Sequence, residues 1–343
     1  MKKLLNTLYV TTPDAYISLD GENVVVLREN ETLLRIPLHN LEGIVTFGYT
    51  GASPALMGEC AERNISLSFF TANGRFLADV AGIEYGNVVL RRTQYRVADD
   101  LNQSTAIAKN ILIGKLFNSR WVLERAVRDH EMRIDSEKVK TAAHSIAESI
   151  EPLRKADNLE SLRGIEGEAA TRYFSVFDEL ILQSKEDFFF ETRNRRPPLD
   201  NVNSLLSFTY SLLANEVASA VRSVGLDPYV GFLHRDRPGR KSLALDLMEE
   251  FRSVIADRFV LSLINTRQID SKGFQKRENG SVIIKDDARK TFLNAWQKRK
   301  QEEITHPFLQ EKIEWGLVPF VQALLLARFL RGDIDEYPPF LWK

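Results

Sequence analysis

Cysteine is almost missing: Cys60 stands alone in 343 residues. That excludes an internal disulfide framework, disfavours zinc and fits a reducing cytoplasm. An excess of one charge is missing too. The 46 Lys and Arg against 47 Asp and Glu leave −1, so any nucleic-acid binding has to come from local basic patches. No apolar run is long enough for a bilayer, since the longest, Leu317–Leu330, is short and carries Arg328. The start, MKKLLNTLYVTTPD, imitates a signal peptide, but Asn6 and Thr7 break its apolar run and no small-residue cleavage site follows. There is no internal repeat, no low-complexity tract and no GxxxxGKS phosphate loop, which weakens nucleotide binding of the P-loop type. What remains is ordinary globular composition with length enough for two cores.

The first ninety-odd residues read as strands with one short helix. AYISLDGENVVVL sets two β-rich runs around Asp20-Gly21, a hairpin turn signal. ETLLRIPL and EGIVTFG follow as short strands. Ser53-Pro54 supplies an N-cap and a first-turn proline for PALMGECAER. ISLSFF and RFLADV then flank an Asn73-Gly74 turn. The expectation is a β-rich, sandwich-like domain over 1–97. The polar VADDLNQ reads as a linker over 98–104, and a helical domain fills 105–343. Its helices are expected over Ile107–Arg128, Glu137–Ile150, Asn203–Ser223, Leu243–Phe259, Asp287–Glu303 and Leu309–Arg331. Asn279-Gly280 marks one inserted hairpin. The fold class is therefore α+β: a small N-terminal β-sandwich-like domain and a larger all-helical one.

Two carboxylate patterns carry the chemistry. On a wheel of Leu243–Phe259, Leu243, Leu247, Phe251, Val254 and Ile255 face a core, and Asp246, Glu249 and Glu250 lie on another arc. Glu250 is assigned to solvent. Asp246 and Glu249 stay open between solvated surface and ligand, because His234 and a basic loop lead onto the same helix. In LRGIEGEAATRYFSVFDELIL, Glu166 falls on the apolar face of Ala170, Tyr173, Phe174, Phe177 and Ile181, while Glu168 points away. A carboxylate facing a core has to be paired, protonated or bound to a cation, and the plain alternative is an ion pair to Arg163 or Arg172. Gly164 and Gly167 remove side chains where a ligand or another backbone could approach.

Two carboxylates and one imidazole suit Mg²⁺ or Mn²⁺. Arg235, Arg237, Arg240 and Lys241, with Arg193, Arg195 and Arg196 of RNRRPP, would meet a phosphodiester beside such a metal. Lys298–Lys300 is assigned to a solvated helix end. His39, His130, His144 and His306 are expected at the surface or as caps.

IEGEAATRYF, RRPPLDNVNSLLSFTYSLL and GFLHRDRPGRKSLALDLMEEFR, in this order, resemble blocks of the CRISPR-associated integrase–endonuclease family, that of the first-numbered Cas protein, in its type I versions. The resemblance implies a metal-dependent nuclease and integrase acting on double-stranded DNA, protospacer and CRISPR repeat. It also implies a homodimer formed through the β domain and assembled with a dimer of the second-numbered Cas protein. It makes Glu166, His234 and Glu249 the metal ligands and catalytic residues, although some members carry aspartate at the last position. Asp246 matches an acidic position that binds the metal or orients a ligand. Arg235, Arg240 and Lys241 would hold the DNA backbone, and Tyr173 would pack against the site. Two other readings stand beside this one: a non-enzymatic DNA-binding scaffold, and a metal-dependent phosphohydrolase on small nucleotides.

Overall fold

The computed structural model describes residues 6–29, 31–72, 74–80 and 88–343. Its first part holds eight strands: β1 (Asn6–Val10), β2 (Tyr16–Asp20), β3 (Asn23–Arg28), β4 (Glu31–Pro37), β5 (Leu41–Phe47), β6 (Gly51–Ala52), β7 (Ser66–Phe70) and β8 (Phe76–Val80). Helix α1 (Pro54–Glu62) lies among them. They form two four-stranded sheets, ordered β1-β5-β7-β8 and β4-β3-β2-β6. The β2–β3 hairpin turns at Gly21, which takes φ +57° and pairs Asp20 with Asn23. Ser53 caps α1 by accepting from the Leu56 amide at 3.2 Å. Of the Asn73-Gly74 turn, Asn73 lies outside the described residues, and Gly74 takes φ +77° between β7 and β8.

The alternation of β5 decides how the two halves join. Ile44 points into a core shared by both sheets and α1, with Ile17, Val24, Leu56 and Leu67. Val45 and Phe47 point the other way and belong to the large helical core. Phe47 meets Phe208 at 5.6 Å between ring centroids, and Phe208 meets Phe292 at 4.9 Å. One sheet is thus covered on both faces, and the strand-rich part does not close its core without the helices.

The second part contains α2 (Val88–Asp99), α3 (Leu101–His130), α4 (Ser136–Glu148), α5 (Ile150–Lys155), α6 (Leu159–Ser175), α7 (Asn201–Ser223), α8 (Ser242–Met248), α9 (Arg258–Asn265), α10 (Asp286–Lys300) and α11 (Val318–Leu330). The α+β class and the order, strands and then helices, are as expected. Three details differ. Helix begins by Val88, and residues 98–104 are the junction of α2 and α3 rather than an extended linker. The polar residues there are caps: the Asp100 carboxylate accepts from the amides of Asn102 and Gln103 at 2.9 and 3.1 Å. Two hairpins interrupt the helices, β9 (Phe274–Lys276) with β10 (Val282–Ile284) at the Asn279-Gly280 turn, and an unforeseen β11 (Glu303–Thr305) with β12 (Lys312–Glu314).

Third, the expected helix over Leu243–Phe259 is not regular. It stops at Met248, and a π-helical turn over Arg252–Asp257 precedes α9. The arc that a regular wheel sends to solvent is turned inward: Asp246, Glu249, Glu250, Ser253 and Asp257 are all buried. Such a bulge re-aims side chains and gathers where function does. Among the described residues, no helix is long and apolar enough to cross a membrane.

Candidate active site

The site is built first around Asp246. Its carboxylate accepts from the backbone amides of Phe232, Leu233 and His234 at 2.6, 2.9 and 3.0 Å. It also contacts His234 Nδ1 at 2.6 Å. The GFLH turn is wrapped around that carboxylate, and Gly231 is obligatory there. A Cβ on it would stand 2.6 Å from Asp246 Oδ2 and 2.9 Å from the Ser242 carbonyl carbon. With Nδ1 engaged, His234 presents Nε2 outward. Asp246 is the orienting carboxylate.

Glu166 on α6 and Glu249 after α8 meet at one atom. The ammonium of Lys115, on α3, pairs with Glu166 Oε1 and lies 2.7 Å from Glu249 Oε2. Arg252 holds Glu249 Oε1 at 3.0 Å. Burial by itself would raise the Glu249 carboxyl, but Arg252 and Lys115 outweigh it and hold it at about 2. Burial likewise opposes the Lys115 charge, and Glu249 and Glu166 overcome it, raising its pKa. The buried Glu249 Oε2 faces the ammonium without the angle of a hydrogen bond, so its charge is met by an ion contact. Neither Arg163 nor Arg172 pairs with Glu166. Arg163 goes to Glu160 and the Leu233 carbonyl, and Arg172 to the exposed Glu168. Beyond the backbone of α6 itself, no atom lies within 4 Å of a Cβ built on Gly164 or Gly167, so these glycines leave open space instead of admitting another backbone.

Glu166, Glu249, Lys115 and His234 line one cleft of about 490 Å³. Tyr173, Tyr210, Asp257, Arg193 and Arg195 line it too. Tyr210 donates to Asp257 at 2.5 Å, and the guanidinium groups of Arg193 and Arg252 lie 5.2 and 4.9 Å from its ring centre. Burial pushes Asp257 up to about 6. Tyr173 is buried against the cleft with its hydroxyl unpaired by any well-aligned hydrogen bond. Among the described residues, no three His, Cys, Asp or Glu side chains stand close enough together to hold an ion as they are.

The basic residues separate into groups. Arg195, Arg196 and Arg237 are exposed, and Arg195 reaches the cleft. Burial and then Arg237, Arg195 and Arg163 push the Arg240 guanidinium down from its ordinary value. Cations that crowd one another in this way suit a polyanion. Arg235 pairs with Glu160 at 2.5 Å. Arg193 is tied inside the protein to Asn203 and Ser207 at 2.7 and 3.1 Å. Lys241 turns to the strand-rich part, 3.3 Å from Asp79 and 4.1 Å above the Phe76 ring.

Two assignments to the surface are corrected, Glu250 and Lys300, while His306 takes the capping alternative, its Nδ1 accepting from the Leu309 amide at 3.3 Å. Glu250 is fully buried, accepting from Tyr337 at 2.6 Å, the Phe340 amide at 2.7 Å and Gln322 at 3.1 Å. Burial raises it to about 8. His306 is buried against Gln322, and Lys300 is buried on Glu216 at 2.9 Å. Their partners come from remote segments that no local pattern announces. Sequence reading missed Arg252, Tyr210, Asp257 and, most consequentially, Lys115. Its one signal was position, directly after ILIG in an apolar helix.

The profile of the family described as CRISPR associated protein Cas1 matches residues 8–298. The chain belongs to the Cas1 family. Over its full length it is 54% identical to the CRISPR-associated endonuclease Cas1 of Chlorobaculum tepidum and 50% identical to one of Rhodospirillum rubrum, each covered completely. Among solved structures, a casposase bound to its integration product superposes with TM-score 0.85 at 26% identity, covering 98% of this chain and 93% of that one. A Cas1 protein from Thermotoga maritima superposes with TM-score 0.81 at 26% identity, covering 96% and 97%.

Proposed function

We propose that this Cas1-family protein is a divalent-metal-dependent DNA endonuclease and integrase that inserts new spacer DNA into a CRISPR array. One observation carries the proposal: Glu166 and Glu249, from separate helices, converge on a single cation in a cleft rimmed by arginines. The donor set is two carboxylates and an imidazole whose Nδ1 is held by Asp246, which fits Mg²⁺ or Mn²⁺ and leaves zinc disfavoured. Glu166, His234 and Glu249 would hold the ion. When bound, it would polarise the scissile phosphodiester and stabilise the leaving 3′-oxygen.

The chain's own residues do the rest. Asp246 fixes the His234 ring, Arg252 anchors the far oxygen of Glu249, and Arg195, Arg237 and Arg240 neutralise the phosphate backbone entering the cleft. A DNA 3′-hydroxyl as nucleophile yields a strand junction, and water yields a nick. One cleft serves both. A homodimer through the strand-rich part, and a dimer of the second-numbered Cas protein bound to it, complete the assembly that family membership implies.

The test measures turnover and affinity together on branched and linear DNA with Mg²⁺ or Mn²⁺. Glu166→Gln should abolish cutting and joining and leave DNA affinity intact or tighter, since a ligand and a negative charge go while every phosphate-binding side chain stays. Replacing Arg195, Arg237 and Arg240 should weaken binding and reduce the salt slope by roughly 0.9 for each phosphate no longer neutralised. Full turnover by Glu166→Gln would leave a DNA-binding scaffold, and turnover on small nucleotides alone would leave a phosphohydrolase.

A further inference from the structure

Lys115 is poorly placed for an ordinary surface lysine. Its side chain is 14% exposed, and its ammonium touches one carboxylate oxygen from each of two helices. Glu249, at 7% side-chain exposure, is buried more deeply still. Two such carboxylates repel each other, and holding them together without a cation would leave buried charge uncompensated. Both oxygens lie within 2.7 Å of the same nitrogen. A divalent ion binds carboxylate oxygens at about 2.0–2.6 Å, so an ion shared by these two would stand in the place of the ammonium or close against it, like charge on like charge. The two cations exclude each other.

We infer that Lys115 is an intramolecular cation that keeps the metal position closed in the metal-free protein and is exchanged out when the metal enters. The inference rests on the metal-site reading above. Four features make exchange feasible. The lysine stem is flexible, and its charge is a point without fixed directionality. The cleft of about 490 Å³ that Lys115 lines gives the released ammonium room. Arg252 grips Glu249 by its other oxygen, so the carboxylate keeps its place while Oε2 changes partner. The Oε2 contact also lacks hydrogen-bond alignment, so the bond to Glu166 is the one directional bond broken between the ammonium and the two glutamates.

The test needs no DNA. Lys115→Met should melt below the parent protein in EDTA, because the buried Glu249 and the half-buried Glu166 lose a counter-charge. By calorimetry it should bind Mn²⁺ about tenfold more tightly, or better, because the competing ion pair no longer has to be broken. In the unaltered protein, saturating Mn²⁺ should raise reductive methylation of Lys115 several-fold. Lys300, ion-paired to Glu216 and somewhat more deeply buried, serves as the unchanged control. Equal or weaker Mn²⁺ affinity in Lys115→Met, with Glu166→Gln clearly impaired, would overturn the exchange alone. So would Lys115 labelling that ignores Mn²⁺, and this arm decides the matter if Lys115→Met fails to fold. If the parent and Glu166→Gln bind Mn²⁺ alike, or neither binds it, the metal site fails and the exchange goes with it.

Discussion

At the scale of single residues, the site depends on buried carboxylates that differ only in their company. Asp246 has three backbone amides and an imidazole, Glu249 has two cations, and Glu250 has a phenol, an amide and a glutamine side chain. Asp246→Asn turns an amide NH2 toward donors and should cost roughly 1–3 kcal/mol of stability, read as a lowered Tm, with a larger fall in turnover as the His234 ring loses its orientation. His306 gives a pH prediction away from the site. Its Nε2 meets Gln322 Oε1 at 3.2 Å and its Nδ1 accepts from the Leu309 amide at 3.3 Å, which leaves no place for a second proton. Burial holds it at about 4, below the ordinary 6.5, against a smaller opposing effect of Gln322. Its contribution is therefore complete above the ordinary value and is lost as pH falls towards 4. Between pH 7 and pH 5 the His306 share of that loss is about 2 kcal/mol, read as the difference between the parent's and His306→Gln's pH dependence in denaturant titrations, because Glu250 and Asp257 act in the opposite sense in both proteins.

At the scale of elements, caps and one irregular helix matter most. Ser53→Ala removes the oxygen that accepts from the Leu56 amide and should cost about 1 kcal/mol, visible by calorimetry with turnover unchanged, since α1 is remote from the cleft. The break between α8 and α9 does the opposite of a cap. It gives up helical regularity to bring Glu249 and Asp257 into the cleft and Glu250 into the pocket made by Tyr337 and Phe340. Glu166 needed no such device. The four-residue step to Ala170 along α6 puts it on the cleft side, and spacing alone made that legible.

At the scale of the molecule, the strand-rich and helical parts share a core through Phe47, Phe70 and Phe208. Phe208→Ala should cost roughly 3–5 kcal/mol and move one common unfolding transition; two separated transitions in the parent protein would contradict the shared core. The outer sheet ends at β4, an edge strand with Leu33 and Leu34 at 48% and 41% exposure. Apolar residues on an open edge invite pairing, so a homodimer is expected there. Leu33→Glu with Leu34→Glu should shift sedimentation at micromolar concentration from dimer to monomer.

The amino-acid sequence by itself determined the order of strands and helices, the Asp20-Gly21 and Asn279-Gly280 turns, the Ser53 cap, the inward face of Glu166 and the motif that joins His234 to Asp246. All of these depend on neighbours within a few turns of chain, or on a turn and the helix that follows it, so periodicity and residue type carry them. The tertiary structure decided the rest. Lys115 lies 51 residues from Glu166, and Tyr337 lies 87 from Glu250. Residues 98–104 became two helix ends instead of a linker, because Asp100 spent its polarity on capping. A buried charge goes wherever an opposite charge or a donor is waiting, and that partner is chosen by packing between distant segments, for which local sequence holds no record.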